Sequence, residues 1–333
     1  MDRRRRDRAR RRRGVTRDRG GGAPPRSGAD RRGGVRRAGD GRLRRRPGAV
    51  RGAGGVPLVS AGARTSTGDG IHLGRSIGAG LQGAGSHLPT FGGLPDPISP
   101  GRANWHDRQR LTSERPPWEI YVDREGSRWV AEDEPSIDEK ERALTSVPEQ
   151  TFWTVFDDRA LAAATGEQQI VVGKEPEEVR AMANARPGVH AAESVSALAE
   201  AAGIDPDGLA ATVRAYNAAV VTGVDPDFGR MHLPAPIERG PFYAIRNHAI
   251  TLVTFQGLDT DADCGVRDEA GVVVPGLFAV GEVIGAAATC GNSFCGGMLL
   301  TPALTLGRLL GVRLADQVVS QPPPSTTSVA PVT

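Results

Sequence analysis

The chain has 333 residues, a formal net charge of +3 and 38% apolar residues, enough to bury one or two sizeable cores. No run approaches the roughly 18 apolar residues of a membrane span, and no apolar stretch follows the Arg-rich start as in a secretory signal. A cytoplasmic protein with no membrane partner is therefore expected.

The three cysteines are Cys264, Cys290 and Cys295. They are too few for a disulfide framework, and a single C-x4-C spacing does not supply the four ligands of a tetrahedral metal site. No metal site is predicted. Small buried thiols are the expectation, and a redox pair of Cys290 and Cys295 is the alternative.

The charge is divided unevenly along the chain. Residues 1–46 hold 20 Arg, 5 Asp and no Lys. This segment therefore carries +15, and the total of +3 leaves −12 for the remainder. It has no aromatic residue for base stacking and no helical period to line its charges along a groove. A disordered Arg- and Gly-rich arm is predicted over 1–55. Its composition is the one that GC-rich coding DNA yields when it is translated in an unintended reading frame. Polyanion binding is the alternative.

From about Val56 the apolar spacing becomes regular, and elements can be predicted in chain order. A helix is expected from Asp69 to about Ala79, with an apolar side formed by Ile71, Leu73, Ile77 and Leu81. A hairpin is expected over 119–131, with Gly126 in its turn, and a strand over 151–156.

Helices are predicted near 176–185 and 194–202, followed by a longer one. That helix has Asp205 as its N-cap and Pro206 at its first position. One face of it carries Leu209, Val213, Tyr216 and Val220.

Residues 241–280 are predicted to be rich in strands, with polar turns at 257–263 and 267–271. Residues 277–280 form a short, fully apolar strand in this prediction. A helix opens at Thr301 and Pro302 and runs to about Asp316. The tail from Gln321, rich in Pro, Ser and Thr, is expected to be disordered.

A literal G-x-G-x-x-G occurs at residues 78–83. The dinucleotide fingerprint requires a strand before it and a helix after it, so that the helix N-terminus faces the pyrophosphate. Here a predicted helix precedes the glycines and His87-Leu88-Pro89 follows. We interpret the pattern as a helix end followed by a glycine-rich turn.

Residues 276–311 combine a strand, an acid, a glycine loop and a helix. The small residues let a planar ligand approach the backbone, and the helix start at Thr301 points a positive dipole at it. A flavin ring that becomes negative on reduction would be stabilised there. Glu282 can accept hydrogen bonds from ribityl or ribose hydroxyls. The alternative is a generic strand–loop–helix with a solvated acid.

This segment resembles the C-terminal flavin segment of the fumarate reductase/succinate dehydrogenase flavoprotein family, which includes the ketosteroid dehydrogenases. Further matches follow the family's order at 65–70 (TSTGDG), 120–132, 194–220, 225–230 and 240–245. They cover about residues 56–316. Collinearity over several separate motifs is more specific than any one glycine pattern.

The resemblance implies an α/β fold in which a doubly wound FAD-binding domain is split by an inserted α+β capping domain. The partial FAD-binding domain would comprise 56–87 and 239–318, the capping domain 88–238, and a disordered tail 319–333. Hydride would pass between flavin N5 and a carbon of a small-molecule substrate lying between the domains. The residues implied to contact FAD are Asp69, Thr254, Gly281, Glu282, Leu299, Leu300 and Thr301.

The resemblance also implies roles around the substrate. His87, Asn292 and Gly297 would contact it, and Arg115 and Tyr243 would be catalytic, with Tyr243 as the acid.

Several positions depart from the family's pattern. Ser136 stands where fumarate reductases have their proton-donating arginine, and Val253 where they have a substrate-binding histidine. Asn292, Ser293 and Phe294 occupy the loop that carries a carboxylate-clamping arginine. A dicarboxylate would lack its bidentate partners. A ketone or an enone is therefore favoured over a carboxylate as the substrate.

The arm also supplies no glycine fingerprint and no ribose-binding acid ahead of the TSTGDG segment. An N-terminally truncated or frame-shifted chain with impaired FAD binding is the resulting expectation. The alternative is a non-catalytic fragment, or a remnant that binds polyanions through its arm.

Overall fold

The computed structural model describes residues 59–99, 101–110, 115–291, 293 and 296–320. The predicted arm and the tail from Gln321 lie outside these residues, as does Asn292. The fold is mixed α/β. Its helices are α1 (Asp69–Ser76), α2 (Ile137–Leu144), α3 (Asp158–Ala163), α4 (Pro176–Met182), α5 (Val195–Ala202), α6 (Pro206–Thr222), α7 (Ala287–Cys290) and α8 (Leu300–Ser320).

The strands divide into one large and two small sheets. They are β1 (Val59–Ser60), β2 (Leu81–Gln82), β3 (Thr90–Pro95), β4 (Ala103–Asn104), β5 (Ile120–Val122), β6 (Thr151–Asp157), β7 (Val189–Ala192), β8 (Phe242–Thr251), β9 (Gly257–Leu258), β10 (Gly265–Arg267) and β11 (Val273–Phe278). The large sheet, called the central sheet, contains β1 and β3 to β8. The pairs β10–β11 and β2–β9 form the small sheets.

Strand β8 organises the central sheet. It pairs antiparallel with β3, β6 and β7, and parallel with β1 at its C-terminal end. The predicted strand over 151–156 is confirmed as β6. The hairpin over 119–131 is confirmed only at its turn, where Gly126 has φ 74. Strand β5 pairs with β6, and the return stretch of the hairpin makes one bridge, between Val122 and Arg128.

Helices pack on both faces of the central sheet. On one face, α5 and α6 cover Val122, Trp153, Val155 and Ala244. On the other face, Phe156, Tyr243 and Ile245 pack with residues of α3 and α4, and Tyr121 and Phe152 pack with Leu144 of α2. The central sheet is therefore buried on both sides over most of its length.

The helices predicted from caps and apolar spacing are confirmed as α4, α5 and α6. The Asp205 carboxylate accepts a hydrogen bond from Gly208 N at 2.7 Å, and Pro206 occupies the first turn of α6. The face of α6 that carries Leu209, Val213 and Tyr216 is buried.

The predicted apolar side of α1 is largely exposed. Leu73 is 69% exposed and Ile77 is 54% exposed, and Gly74 is the buried residue of this helix. A Cβ at Gly74 would lie 2.7 Å from Leu258 Cδ2, so the helix approaches β9 through its glycine. The interpretation of residues 78–83 is confirmed, because α1 precedes them, the short strand β2 lies within them and the next described element is strand β3.

The C-terminal part of the chain has its own small core, formed by Ala79, Leu258, Val266, Ala279 and Ile284. The short strand predicted at 277–280 belongs to β11, which ends at Phe278 and is half-exposed, because it pairs only with β10. Helix α8 begins one residue before the predicted Thr301 and continues to Ser320. None of the described helices is both long and apolar enough to cross a membrane.

Candidate functional site

A cavity of about 410 Å³ lies between the segment after β11 and the start of α8. We call it the C-terminal cavity. Apart from Ser66, Thr289 and Glu282, its lining is apolar and rich in small residues: Ala63, Leu252, Val253, Gly281, Ile284, Gly285, Ala286, Leu299, Leu300, Pro302, Ala303 and Leu306. Such a lining accepts a flat apolar ring in contact with the backbone.

The glycine loop, which comprises residues 283–299 between Glu282 and α8, is held against the chain that follows β8. Ala286 N donates to Thr254 O at 2.9 Å, and Ala287 N donates to Phe255 O at 3.1 Å. Gly285 has φ 79, and a Cβ there would lie 2.3 Å from Phe255 O. Only glycine permits this approach, so the loop fixes one wall of the C-terminal cavity.

A second cavity of about 260 Å³ adjoins the first and shares Ser66 and Glu282 with it. Residues 65–71, Thr254 and Val283 complete its lining. Asp69 lies there, and its carboxylate accepts a hydrogen bond from Thr67 Oγ1 at 2.7 Å. Glu282 therefore stands between two adjoining spaces, which suits a ligand with a ring and a long polar chain.

The first turn of α8 closes the opposite wall. Thr301 N donates to Gly297 O at 2.9 Å, Ala303 N approaches Leu299 O at 3.4 Å, and Pro302 has no N–H. Gly297 has φ 84, and a Cβ there would lie 3.6 Å from Thr301 Oγ1. The N-terminal end of α8, where the helix dipole is positive, thus borders the cavity.

The two expected catalytic residues do not line either cavity. Tyr243 stacks on Phe156 at 5.3 Å, and its hydroxyl donates to Asp158 Oδ1 at 3.2 Å. Burial, together with the neighbouring Asp158 carboxylate, raises the pKa of Tyr243. The structure thus gives Tyr243 a packing role in the core between the central sheet and helices α3 and α4.

Arg115 is buried in a group of charges within the central sheet region. Its Nη2 lies 2.5 Å from Glu119 Oε1, and its Nε donates to Gln169 O at 3.1 Å. Burial alone would raise the pKa of Glu119, but Arg115 holds it below its ordinary value. The arginine is committed to this partner, which keeps both charges stable away from water.

His87 lies beside the glycine loop. Its ring meets Phe255 edge-on, with centroids 6.1 Å apart, and burial lowers its pKa. A Cβ at nearby Gly83 would lie 2.8 Å from Ala287 Cβ, so this stretch of chain is closely packed on α7. Of the three expected substrate residues, His87 and Gly297 adjoin the loop, and Asn292 is outside the described residues.

One buried acid outside both cavities was missed from the sequence. Glu141 of α2 is fully buried, and burial raises its pKa to about 7 despite a hydrogen bond with Thr90. Thr90 pairs with Ile250, two residues before Leu252 of the C-terminal cavity. No motif marks Glu141, since its character comes entirely from burial.

Helix α2 also touches the glycine loop directly. Arg142 Nη2 donates to Ser293 Oγ at 2.7 Å and pairs with Asp138 at 2.7 Å through Nε. Ser293 stands in the loop where the family's clamping arginine is expected, and Arg142 follows the position where its proton-donating arginine is expected. The helix that begins after the first departure, Ser136, thus contacts the loop that carries the other.

Comparison with protein-family models matches residues 30–299 to the FAD binding domain family. The chain belongs to this family. FAD is therefore its cofactor, which confirms the cofactor that the family resemblance implied. The match begins inside the segment expected to be an arm.

Two curated relatives illustrate the family's range. A probable fumarate reductase of Shewanella frigidimarina is 27% identical over 79% of this chain and 41% of its own length. A 4-oxocyclohexanecarboxylate 2-dehydrogenase of Sinomonas cyclohexanicum is 35% identical over 36% of this chain and 24% of its own length. The chain thus spans less than half the length of these relatives.

Among solved structures, the chain is similar to a 3-ketosteroid Δ1-dehydrogenase from Sterolibacterium denitrificans in complex with 1,4-androstadiene-3,17-dione. The TM-score is 0.61 at 22% identity, over 78% of this chain and 48% of the other. At this identity the likeness shows that the two chains share a fold.

The residues at the two cavities fit the cofactor. Gly281 has φ 79, and a Cβ there would meet nothing closer than Ala303 Cβ at 3.8 Å, so the backbone is open to a flat ring. Glu282 offers acceptors for the hydroxyls of a ribityl chain. No Lys, Arg or His is among the described residues that line the C-terminal cavity.

Proposed function

We propose that the chain carries the flavin-ring and substrate part of an oxidoreductase acting on a carbon–carbon bond next to a carbonyl. The observation that carries this proposal is the convergence of Glu282, the glycine loop and the first turn of α8 on one cavity. The named relatives add that proteins of this family reduce fumarate or dehydrogenate ring ketones.

When bound, FAD would supply the hydride acceptor or donor at N5 of its ring. The amides of Leu299 and Leu300 are proposed to donate to the edge of the ring that becomes negative, because those of Thr301 and Ala303 face loop carbonyls. Glu282 is proposed to accept from the ribityl hydroxyls. Asp69 and Thr254 would contact the chain beyond it, in the second cavity.

In this proposal residues 88–238 act as a capping domain over a flavin part formed by 56–87 and 239–318. Helix α2 of the capping domain contacts the flavin part through Arg142, whose Nη2 donates to Ser293 Oγ. A capping element in this place would exclude water from the hydride transfer.

The proposed substrate is a ketone or enone. Leu252 and Val253 present an apolar wall, and none of the described residues lining the C-terminal cavity is a cation that could pair with a carboxylate. His87 and Gly297 are proposed to contact the substrate beside the glycine loop.

Glu141 lines neither cavity, and it is proposed to exchange the substrate proton through intervening water, in place of Tyr243. It holds its proton up to about pH 7, and one of its oxygens has no hydrogen-bond partner among the described residues. Tyr243 Oη, in contrast, is bonded to Asp158.

Flavin binding is tested first, with two matched glycine variants. Gly281 and Gly276 have φ 79 and 76, and neither has an atom within 3.4 Å of an added Cβ, but only Gly281 lines the C-terminal cavity. Gly281→Ala should weaken FAD binding by about tenfold or more, whereas Gly276→Ala should cost only backbone strain. Quenching of flavin fluorescence measures both, and equal affinities would contradict the site.

Substrate class is tested on the FAD-loaded chain. After anaerobic reduction of the flavin, a cyclic enone should restore its visible absorption, and fumarate should do so at least about tenfold more slowly. Faster reoxidation by fumarate would overturn the ketone assignment. Failure of every unsaturated carbonyl compound with flavin bound would overturn the proposed activity.

A further inference from the structure

A third cavity, of about 480 Å³, lies on the central sheet and shares no lining residue with the two flavin-side cavities. We call it the sheet cavity. Thr151 and Trp153 of β6 and Arg246 and His248 of β8 line it from the sheet. The rest of its lining comes from the turn after β5, the segment before β6 and the end of α5: Arg124, Glu125, Pro148, Glu149, Ala202 and Gly203.

Two donors at this cavity have no acceptor among the described residues. Trp153 is 5% exposed, and its Nε1 is buried without a hydrogen-bond partner. Arg246 Nε is likewise buried and without a partner. Buried donors are rarely left unsatisfied, because each costs the free energy of removing it from water.

The register brings these two donors together. Trp153 is directly opposite Arg246 in the β6–β8 pair, so both side chains project from the same face of the central sheet. Thr151 and His248 form the next such pair, joined by Oγ1 and Nδ1 at 3.1 Å. The Thr151 hydroxyl also approaches Glu149 O at 3.2 Å, so it donates there and accepts from the His248 ring.

The backbone beside the sheet cavity is strained. Glu149 and Gln150 have φ 54 and 47, a region that residues with a Cβ rarely adopt, and Glu149 lines the cavity. Strain of this kind concentrates at ligand sites, where it is maintained by the surrounding packing.

We propose that the sheet cavity binds a small monocarboxylate. The carboxylate pairs with the guanidinium groups of Arg246 and Arg124 and supplies the missing acceptor for Trp153 Nε1. The indole ring and Ala202 provide an apolar surface for the rest of the ligand. Glu125 and Glu149 are exposed at the rim, and they oppose any further negative charge.

The test uses the full chain with ¹⁵N-labelled tryptophan, titrated with benzoate and with its neutral isostere benzamide. The chain has 4 Trp, and the Trp153→Phe variant assigns the indole signal of Trp153. Benzoate should shift that signal saturably, and benzamide should not. Equal shifts by the two compounds would show that no carboxylate is recognised and would overturn the proposal.

Variants at two arginines locate the ligand. Arg246→Met should weaken benzoate binding by about tenfold or more, and Arg214→Met, at an exposed arginine of α6, should leave it unchanged. The proposal would be overturned if Arg246→Met left benzoate binding unchanged. It would also be overturned if phthalate or sulfate bound as tightly as benzoate does. If Trp153→Phe fails to fold, benzoate binding is followed by the backbone amide signal of Arg246 in a uniformly ¹⁵N-labelled chain. None of these readouts requires flavin or turnover.

Discussion

Glu141 shows how burial alone changes the chemistry of a carboxyl group. Its pKa rises from an ordinary 4.5 to about 7, so the folded chain keeps this proton at pH values where the unfolded chain has lost it. Its contribution to stability is therefore full below pH 4.5 and is lost as the pH rises through 7.

Glu141→Gln should remove that loss, because the amide has no proton to release. Above pH 7 the variant should be more stable than the parent by up to about 3 kcal/mol, and below pH 4.5 the difference should vanish. Urea unfolding across this range measures it, with Glu139→Gln, exposed on the same helix, as the control. The same variant should slow turnover of the FAD-loaded chain; unchanged turnover would remove Glu141 from the proposed mechanism.

The contribution of His248 to stability depends on pH in the opposite direction. Burial, and then the positive charge of Arg246, lower its pKa from 6.5 to about 4, so the unfolded chain binds this proton more readily than the folded one. The contribution of His248 to the free energy of unfolding should be full above pH 6.5. It should fall by about 3 kcal/mol in total as the pH drops toward 4.

His248→Gln should flatten the curve between these pH values, whereas His106→Gln, at an exposed histidine, should not. Urea unfolding at several pH values measures both. If the free energy of unfolding of His248→Gln still fell between pH 6.5 and 4, groups other than His248 would be its cause.

At the scale of elements, the turn after β5 and the start of α6 fit together without space for a side-chain carbon. A Cβ on Gly126 would lie 2.2 Å from Leu209 N, and one on Gly208 would lie 1.9 Å from Glu125 O. Asp205 N donates to Arg124 O at 2.8 Å, which fixes the contact. The turn therefore orients α6 on the central sheet.

Gly126→Ala should destabilise the chain by about 3 kcal/mol or more, since it adds both backbone strain and a clash. Gly223→Ala is the matched control, because Gly223 has φ 72 but no atom within 4 Å of an added Cβ. It should cost about 1 kcal/mol. Chemical denaturation compares them, and similar losses would show that strain alone matters at Gly126.

At the scale of the whole molecule, cofactor binding and stability are linked. A ligand that binds only the folded chain stabilises it by about 2.7 kcal/mol at a concentration of 100 times its Kd. FAD should therefore raise the thermal midpoint, and Gly281→Ala should need more FAD for the same rise. An unchanged midpoint at saturating FAD would contradict binding to the folded state.

Hydrogen exchange should locate that stabilisation. The described residues of the glycine loop and the first turn of α8 should gain protection with FAD, whereas β6 and β8 are already deep in the central sheet and should change little. Benzoate should act on the sheet cavity instead, which separates the two proposed sites within one molecule.

The sequence by itself determined the features that depend on neighbours a few residues away. Asp205 and Pro206 began α6 as predicted, Gly126 took the positive φ of its turn, and the segment around Glu282 formed the predicted loop and helix start. Caps, turns and glycine conformations follow from local sterics and hydrogen bonding, so they can be predicted from a short stretch of chain.

Only the tertiary structure decided which groups are buried and what surrounds them. Leu73 and Ile77 stayed exposed because Gly74 makes the packing contact with Leu258. Tyr243 became a core residue bonded to Asp158, and Glu141 became a protonated acid. The sheet cavity unites β6, β8 and the end of α5, which are far apart in the chain. Burial and electrostatics arise from contacts between such distant segments, and no local pattern of residues encodes them.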